Sequence, residues 1–329
     1  MSITRRQFAH VALAGTPALG ALLRADLSAA TVGQATPSLS RWNGVQVGLN
    51  VPYSLGTGNN IAAEDLLTRV VDVGIGGLEL RSQPVEHFLG SPTIRAAAEA
   101  AKAGTAARGP AAAPTPQQKA DVKAWRLGAP SGKLKDLRQL YAKAGVSIDV
   151  LKVDDIYTVS DEEVDYFFQM ARDLGARAIS AELPTTRSDT KRIGGFADKH
   201  KVFAAYHHHA QGTAALYEEI FAEAKYNAAN IDIGHWTATH NESPLPFIAK
   251  HADRIPHIHV KDRRLGTNGG ENRPFGQGDT QVRQILQAIR DNKWNIRPII
   301  EFEYKIPEGS DRVTEIKKCV AFCREALLG

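Results

Sequence analysis

At 329 residues the chain is long enough for one large domain or two ordinary ones, and its 43% hydrophobic content is that of a globular protein with a sizeable core rather than a disordered one. The 40 Lys and Arg residues stand against 36 Asp and Glu and form no basic run, which argues against a nucleic-acid partner despite a pI near 9.0. Only two cysteines occur, Cys319 and Cys323; four apart on a predicted helix, they read as small apolar core thiols and supply no disulfide framework.

The N-terminus carries paired arginines, Arg5 and Arg6, then an uncharged apolar stretch from about Val11 to Leu23, then small residues suited to cleavage near Ala30. This is the layout of a bacterial export signal, and Thr4-Arg5-Arg6-Gln7-Phe8 resembles the twin-arginine motif. The apolar run falls short of the ~20 residues that a spanning helix needs, so no stable membrane insertion is expected after cleavage. Removing residues 1–30 discards Arg5, Arg6 and Arg24 with Asp26, and the net charge falls from +4 to +2. Residues 31–42 follow as a linker, and the expected address is the periplasm or the exterior. The twin-arginine route implies a protein that folds, often around a cofactor, before it is exported.

From Val45 onward, strand-like apolar runs alternate with helical ones. Eight such runs are present: VQVGLNV, GLEL, VSIDVLKV, ARAISAEL, KVFAAYHHH, NAANIDIGHW, IPHIHVKD and IRPIIEFEY. The alternation predicts parallel strands joined by helical crossovers. Between them, SDEEVDYFFQMARDLG opens on Ser160 and Glu163 as a capping box and stops at Gly175, while Val282, Ile285, Leu286 and Ile289 keep helical spacing after Asp279. The last helix is predicted to place Val313, Ile316, Val320, Cys323 and Leu327 on one stripe. Residues 43–329 therefore predict an α/β fold, a (β/α)8 TIM barrel forming a single catalytic domain, which takes about 250 residues plus insertions. A doubly wound open sheet is the alternative. Residues 84–133, which include AKAGTAARGPAAAPTPQQK, predict an insertion or lid, and residues 263–278 a second long connection. Loops that follow barrel strands lie on the catalytic face.

Polar residues gather at the strand ends. His207, His208, His209, His235, His257 and His259 fall in the C-terminal parts of proposed strands; Glu182 ends the fourth, Asp232 lies near the end of the sixth, and Glu301 and Glu303 occupy the eighth. In IPHIHVKD, alternation sends His257, His259 and Lys261 to one face. In a barrel these residues converge on one rim. Mixed carboxylate and imidazole ligands with open positions suit one divalent ion, Mn²⁺, Mg²⁺, Co²⁺ or Zn²⁺. Asp262 has the opposite parity and predicts a structural bond to a neighbouring loop.

The segments YHHH, DIGH, HIHVKD, FGQGD and IIEFE resemble, in order and spacing, those of the xylose isomerase-like TIM barrel superfamily, the sugar phosphate isomerase/epimerase family. The likeness covers nearly the whole mature chain and is weak between residues 84 and 133. In this family, which includes ketose 3-epimerases and inosose dehydratase, one metal is held by a Glu after the fourth strand, an Asp in the sixth, a His in the seventh and a Glu in the eighth. The resemblance implies Glu182, Asp232, His259 and Glu301 as metal ligands, with Glu182 and Glu301 doubling as the catalytic acid/base pair. Glu303 shares a face with Glu301, so the eighth-strand ligand is open between the two. His207, His209, His235, His257, Lys261 and Glu303 are implied around the substrate. Where the family's His-Asn-His pair encloses Asn, this chain has His208, which is expected to point away from the barrel axis.

A metal with open positions can chelate a carbonyl and an adjacent hydroxyl and acidify the carbon-bound proton beside them. One carboxylate removes that proton and another returns one, to the opposite face or to the neighbouring carbon. The expected activity is that of a metal-dependent sugar isomerase or epimerase acting through an enediolate. Export and the lack of an arginine cluster favour a non-phosphorylated sugar. On a glycoside oxidised at carbon 3 the same chemistry expels the group at carbon 1, so a lyase or hydratase acting on 3-keto-glycosides is the first alternative. A non-catalytic sugar-binding protein is another. An apurinic endonuclease with a multi-metal site is opposed by export and the near-neutral mature charge. The expected partner is a small carbohydrate, with a homo-oligomer left open and no nucleic acid.

Overall fold

The computed structural model describes residues 36–104 and 114–329; the expected export signal lies outside the described residues. Every one of the eight apolar runs holds a strand. These are β1 Gly48–Val51, β2 Gly77–Arg81, β3 Ser147–Lys152, β4 Ala178–Glu182, β5 Phe203–His207, β6 Asn227–Asp232, β7 His257–Val260 and β8 Arg297–Ile300. Each pairs in parallel with the next, and β8 closes on β1 through Ile299 opposite Gly48 and Ile300 opposite Leu49. The closure makes a TIM barrel and rules out the open sheet.

Strand alternation divides the side chains into two environments. Outward, Leu49, Leu78, Leu80, Leu151, Ile179, Ile231, Ile258 and Ile300 are buried against the surrounding helices in the main core. Each such side chain contributes about 1.5–3 kcal/mol on burial, so this strand-to-helix layer carries the stability. Inward, Val150, Ala178, Ala205 and Ala228, with Phe203 packed against them, form a small apolar plug near the strands' N-terminal ends. Above the plug the lumen is polar: Asn50, Glu79, Lys152, Ser180, Asn230, His257 and His259 are all buried there. Such groups must satisfy one another or a ligand.

The helices follow the predicted signals with one shift. Ser160 and Glu163 form the capping box of helix Asp161–Leu174, which ends at left-handed Gly175. Helix Val282–Asp291 buries Val282, Ile285, Leu286 and Ile289. On the last helix, Arg312–Leu328, the buried stripe is Ile316, Cys319, Cys323 and Leu327, whereas Val313 is exposed at 37% because it lies in the first turn, before the helix meets the core. The described residues of the insertion after β2 are largely helical, with helices Ser82–Leu89, Pro92–Lys102, Pro116–Leu127 and Lys133–Lys143. Buried Arg126 ties it down, bonding Glu86 at 2.8 Å and Glu163 at 3.0 Å and lying over the Phe167 ring. Among the described residues no helix is long and apolar enough to cross a membrane.

Candidate metal centre and active site

Strand register builds the site. Glu182 on β4 is aligned with His207 on β5, His207 with Asn230 on β6, and Asp232 on β6 with His259 on β7. The closing strand β8 then leads into Glu301. As a result, donor atoms of His207, Asp232, His259 and Glu301 all lie within 4.8 Å of one another, and all four residues are buried. His207 Nδ1, Asp232 Oδ2 and His259 Nδ1 make no hydrogen bond. Asp232 Oδ2 and His259 Nδ1 have ionic neighbours, Lys261 Nζ at 3.1 Å and Glu301 Oε2 at 3.3 Å, so His207 Nδ1 is the atom left unpartnered, and a buried unpaired imidazole nitrogen beside an Asp, a His and a Glu fits a divalent ion.

His259 is oriented from behind. Its Nε2 donates to Glu79 on β2, with Asn230 Nδ2 3.1 Å away, which leaves Nδ1 facing Glu301 Oε2 at 3.3 Å. Burial alone would lower the imidazole pKa, but Glu79 and Glu301 outweigh it and raise it to about 10. Glu79 is likewise taken to about 2, burial being overcome by His259. Glu301, buried yet flanked by His259 and Lys261, stays well below the usual carboxylate range, and Asn50 Nδ2 donates to it at 2.9 Å. His207 is kept neutral by burial.

Lys261 projects from the end of β7 into a carboxylate cage. Its Nζ lies 3.1 Å from Asp232 Oδ2, 2.8 Å from Glu301 Oε2 and 2.6 Å from Glu303 Oε2. These three anions overcome burial and raise its pKa. His235 follows Asp232 by three residues because Asp232 caps helix Ile233–His240, its Oδ1 accepting the His235 backbone N–H at 2.7 Å. The His235 ring lies between Lys261 Nζ at 3.2 Å and Arg263 Nη1 at 2.6 Å, and burial and Lys261 push its pKa down to about 3. Glu303 also accepts from the Tyr53 hydroxyl at 2.7 Å, which burial and Glu303 push up to about 12. A cleft of about 480 Å³ opens there, lined by Tyr53, Asn59, Asn272, Phe302, Glu303 and Arg312.

Glu182 sits apart from the four-donor group. Its Oε1 is 2.5 Å from Lys152 Nζ, its Oε2 is 3.2 Å from His209 Nε2, and its carbonyl accepts from Tyr157 at 2.6 Å. Burial raises this carboxyl, but His209 and Lys152 prevail and hold it at about 2. His209 is raised in turn by its bond to Glu182. His257 lies one layer below His259, fully buried, grouped with Glu79 and His259, and lowered by burial to about 3. His208 packs edge-on against Tyr217 and Trp236, two residues of the outer core, with Nδ1 2.8 Å from the His209 carbonyl. Asp262 accepts backbone N–H groups of Gly276, Gly278 and Thr280, tying the long loop to β7. A Cβ at Gly278 would stand 2.1 Å from Asp262 Oδ1, so glycine is required there.

Sequence reasoning passed over Glu79, Lys152, Asn50 and Tyr53. For Glu79 and Asn50, the available signal is a polar residue among the apolar ones of a short strand; Lys152 shares its strand with Asp149, and Tyr53, just beyond β1, has no signal.

Several solved structures share this fold. A xylose isomerase domain protein from Alicyclobacillus acidocaldarius superposes with a TM-score of 0.57 at 12% identity, covering 87% of this chain and 100% of that one. D-psicose 3-epimerase from Clostridium cellulolyticum H10, solved with D-tagatose, gives 0.57 at 10%, covering 86% and 99%. A probable 3-DHS dehydratase involved in petrobactin synthesis, from Bacillus anthracis, gives 0.51 at 13%, covering 84% and 98%. At these identities the likeness establishes the fold alone. No functionally curated protein matches the chain. Residues 98–326, more than half of the sequence, match the family model described as xylose isomerase-like TIM barrel, and the chain belongs to that family.

Proposed function

We propose that the protein is a metal-dependent sugar isomerase or epimerase acting on a non-phosphorylated sugar. The observation that carries this reading is the convergence of His207, Asp232, His259 and Glu301 at the barrel mouth, with the ionised Glu182 beside His207 on the neighbouring strand. A divalent ion held by these donors would supply Lewis acidity to a sugar carbonyl and its neighbouring hydroxyl. Glu182, held ionised by Lys152 and His209, is placed to take the carbon-bound proton. Lys261 and His235 hold the oxygens on the other side, and Glu301 is the second carboxylate of the proton-transfer pair. Residues 1–30, read as a twin-arginine signal, support delivery to the periplasm, where free sugars and glycosides are the accessible substrates.

One observation favours a second reading, elimination from a 3-keto-glycoside. His209 is half-exposed and its pKa is raised, so it can give a proton to a departing C1 oxygen while Glu182 takes the proton from C2. The bond from C1 to the aglycone oxygen breaks, a C1–C2 double bond forms, and the 3-keto group is retained.

Proton NMR in D₂O, with the Mg²⁺- or Zn²⁺-loaded mature domain and a panel of free ketoses, aldoses and 3-keto-glucosides, separates the readings. Deuterium beside the carbonyl with an accumulating isomer is the expected outcome. Aglycone release with an unsaturated keto-sugar selects the lyase, and no exchange on any substrate, repeated with Mn²⁺ and Co²⁺, leaves a binding protein. Glu182→Gln and Glu301→Gln are each expected to abolish turnover in a folded protein; full activity in either would remove that residue from the mechanism.

A further inference from the structure

We infer that the metal of this chain is held by two imidazoles and two carboxylates, His207, Asp232, His259 and Glu301, and that Glu182 stays outside the coordination shell as a dedicated proton-transfer group. The inference rests on the metal-dependent reading above and assigns the ligands within it. It departs from the set that the sequence resemblance implies, in which Glu182 is a ligand and His207 is not.

The β4–β5 register places Glu182 and His207 side by side at the same height of the barrel, so either could complete the donor set. Their environments decide between them. Glu182 is drawn toward Lys152 and His209, away from the four-donor group, and its side chain is 46% exposed at the rim, whereas Asp232 and Glu301 are buried. His207 is 3% exposed, and its Nδ1 is buried without a hydrogen bond. Its ring lies 4.5 Å from that of His259, centroid to centroid, on the side where Asp232 and Glu301 also aim their donors.

The deciding cost falls on Lys152. Its side chain is 3% exposed, and among the described residues Glu182 is the one carboxylate within ion-pair distance of its Nζ. Pulling Glu182 into the metal's shell would take from the buried Lys152 ammonium its one carboxylate at ion-pair distance and leave it only the longer-range field of Glu79, which carries a penalty. Recruiting Asp232 and Glu301 carries no such penalty, because Lys261 keeps Glu303 at 2.6 Å. The donor set also sets the metal class: two imidazoles with two carboxylates favour first-row transition ions such as Zn²⁺, Co²⁺ or Mn²⁺ over Mg²⁺, which prefers oxygen ligands.

The test is pulsed EPR of the full mature chain loaded with Mn²⁺, which counts directly bound nitrogens, together with chelator-competition affinities for Mn²⁺ in wild type, His207→Asn and Glu182→Gln. The expected result is two bound nitrogens, at least a tenfold loss of affinity in His207→Asn, and less than a threefold change in Glu182→Gln. One bound nitrogen, with the affinity loss in Glu182→Gln instead, overturns the assignment while leaving a metal-dependent reaction intact. The nitrogen count on wild type decides the matter even where His207→Asn fails to fold. Wild type that binds no divalent ion overturns the assignment as well; deuterium exchange by the chelator-treated protein would then show whether the proton-transfer reading survives without a metal. Two nitrogens with no exchange on any sugar would uphold the ligand set and remove the isomerase.

Discussion

Lys152 and Lys261 occupy opposite walls of the barrel, on β3 and just beyond β7, four strands apart in a ring of eight. Both are almost wholly buried. They differ in company. Lys261 is surrounded by Asp232, Glu301 and Glu303, whereas Lys152 has Glu182 alone within ion-pair distance among the described residues. A wall with a surplus of carboxylates can lend two of them to a cation and keep its lysine paired. On the Lys152 wall Glu79 is committed to His259 and one carboxylate lies within ion-pair distance of the lysine, so Glu182 stays with Lys152 and remains available for proton transfer. Wall composition, more than the position of any single residue, separates metal holding from acid/base work.

The largest expected effect is on the crowded wall. Lys261→Met leaves Asp232, Glu301 and Glu303 facing one another without their cation, and the metal-free protein should lose about 3–5 kcal/mol of stability, as broken buried ion pairs do. Because a divalent ion replaces the missing charge, saturating Mn²⁺ should recover most of that loss. Urea unfolding of the variant with and without metal measures both quantities. The same loss in the two conditions would show that lysine and metal do not share these carboxylates, and the contrast between the walls would collapse.

Much of this contrast was legible in the sequence on one side and hidden on the other. The strand pattern was plain because outward residues are apolar on every strand, and the Lys261 wall announced itself through His257, His259 and Lys261 at alternate positions, with Asp232 and Glu301 at neighbouring strand ends. The Lys152 wall did not. In VSIDVLKV both Asp149 and Lys152 are charged and of opposite parity, so alternation alone does not say which enters the lumen. The structure resolves this through an irregularity: Ile148 is aligned with Leu78 but Val150 with Glu79, so Asp149 is an extra residue and Lys152 turns inward. Such a shift depends on pairing with β2, which no local pattern in β3 reports. Glu79, the partner of His259, was hidden for a related reason: a single carboxylate in GLEL reads as a surface charge until β2 is placed opposite β7's imidazoles.

On the sparse wall the effect on stability should be small and the effect on turnover large. Lys152→Met removes the partner of a carboxylate that already reaches water, so about 1 kcal/mol or less of stability is at stake. Glu182 loses the ammonium that holds it ionised and in place, and kcat should fall about 100-fold, the lower range for a misplaced general base. Urea unfolding and steady-state rates at saturating metal check the pair of outcomes. A stability loss comparable with that of Lys261→Met would mean that Lys152 has buried partners beyond Glu182 and that the walls are alike.

The smallest effect sharpens the comparison at the level of one proton. His209 is held above the usual 6.5 of histidine by its hydrogen bond to Glu182, against the lowering effect of burial, while Glu182 at about 2 stays ionised throughout the neutral range. A raised folded-state value means that the pair's contribution is fully present below pH 6.5 and is lost as the pH climbs through the raised value of His209. In Glu182→Gln the imidazole keeps its burial and loses its anion, so its titration midpoint should fall to 6.5 or lower. Following the His209 ring by heteronuclear NMR between about pH 5 and 9, in the range where histidine titrates, reads that shift directly and does not depend on activity. An unmoved midpoint would mean that His209 and Glu182 are not paired in solution. Glu182 would then be held by Lys152 alone, with one oxygen free to turn toward Asp232, His259 and Glu301, and the case for His207 in the metal's shell would weaken with it.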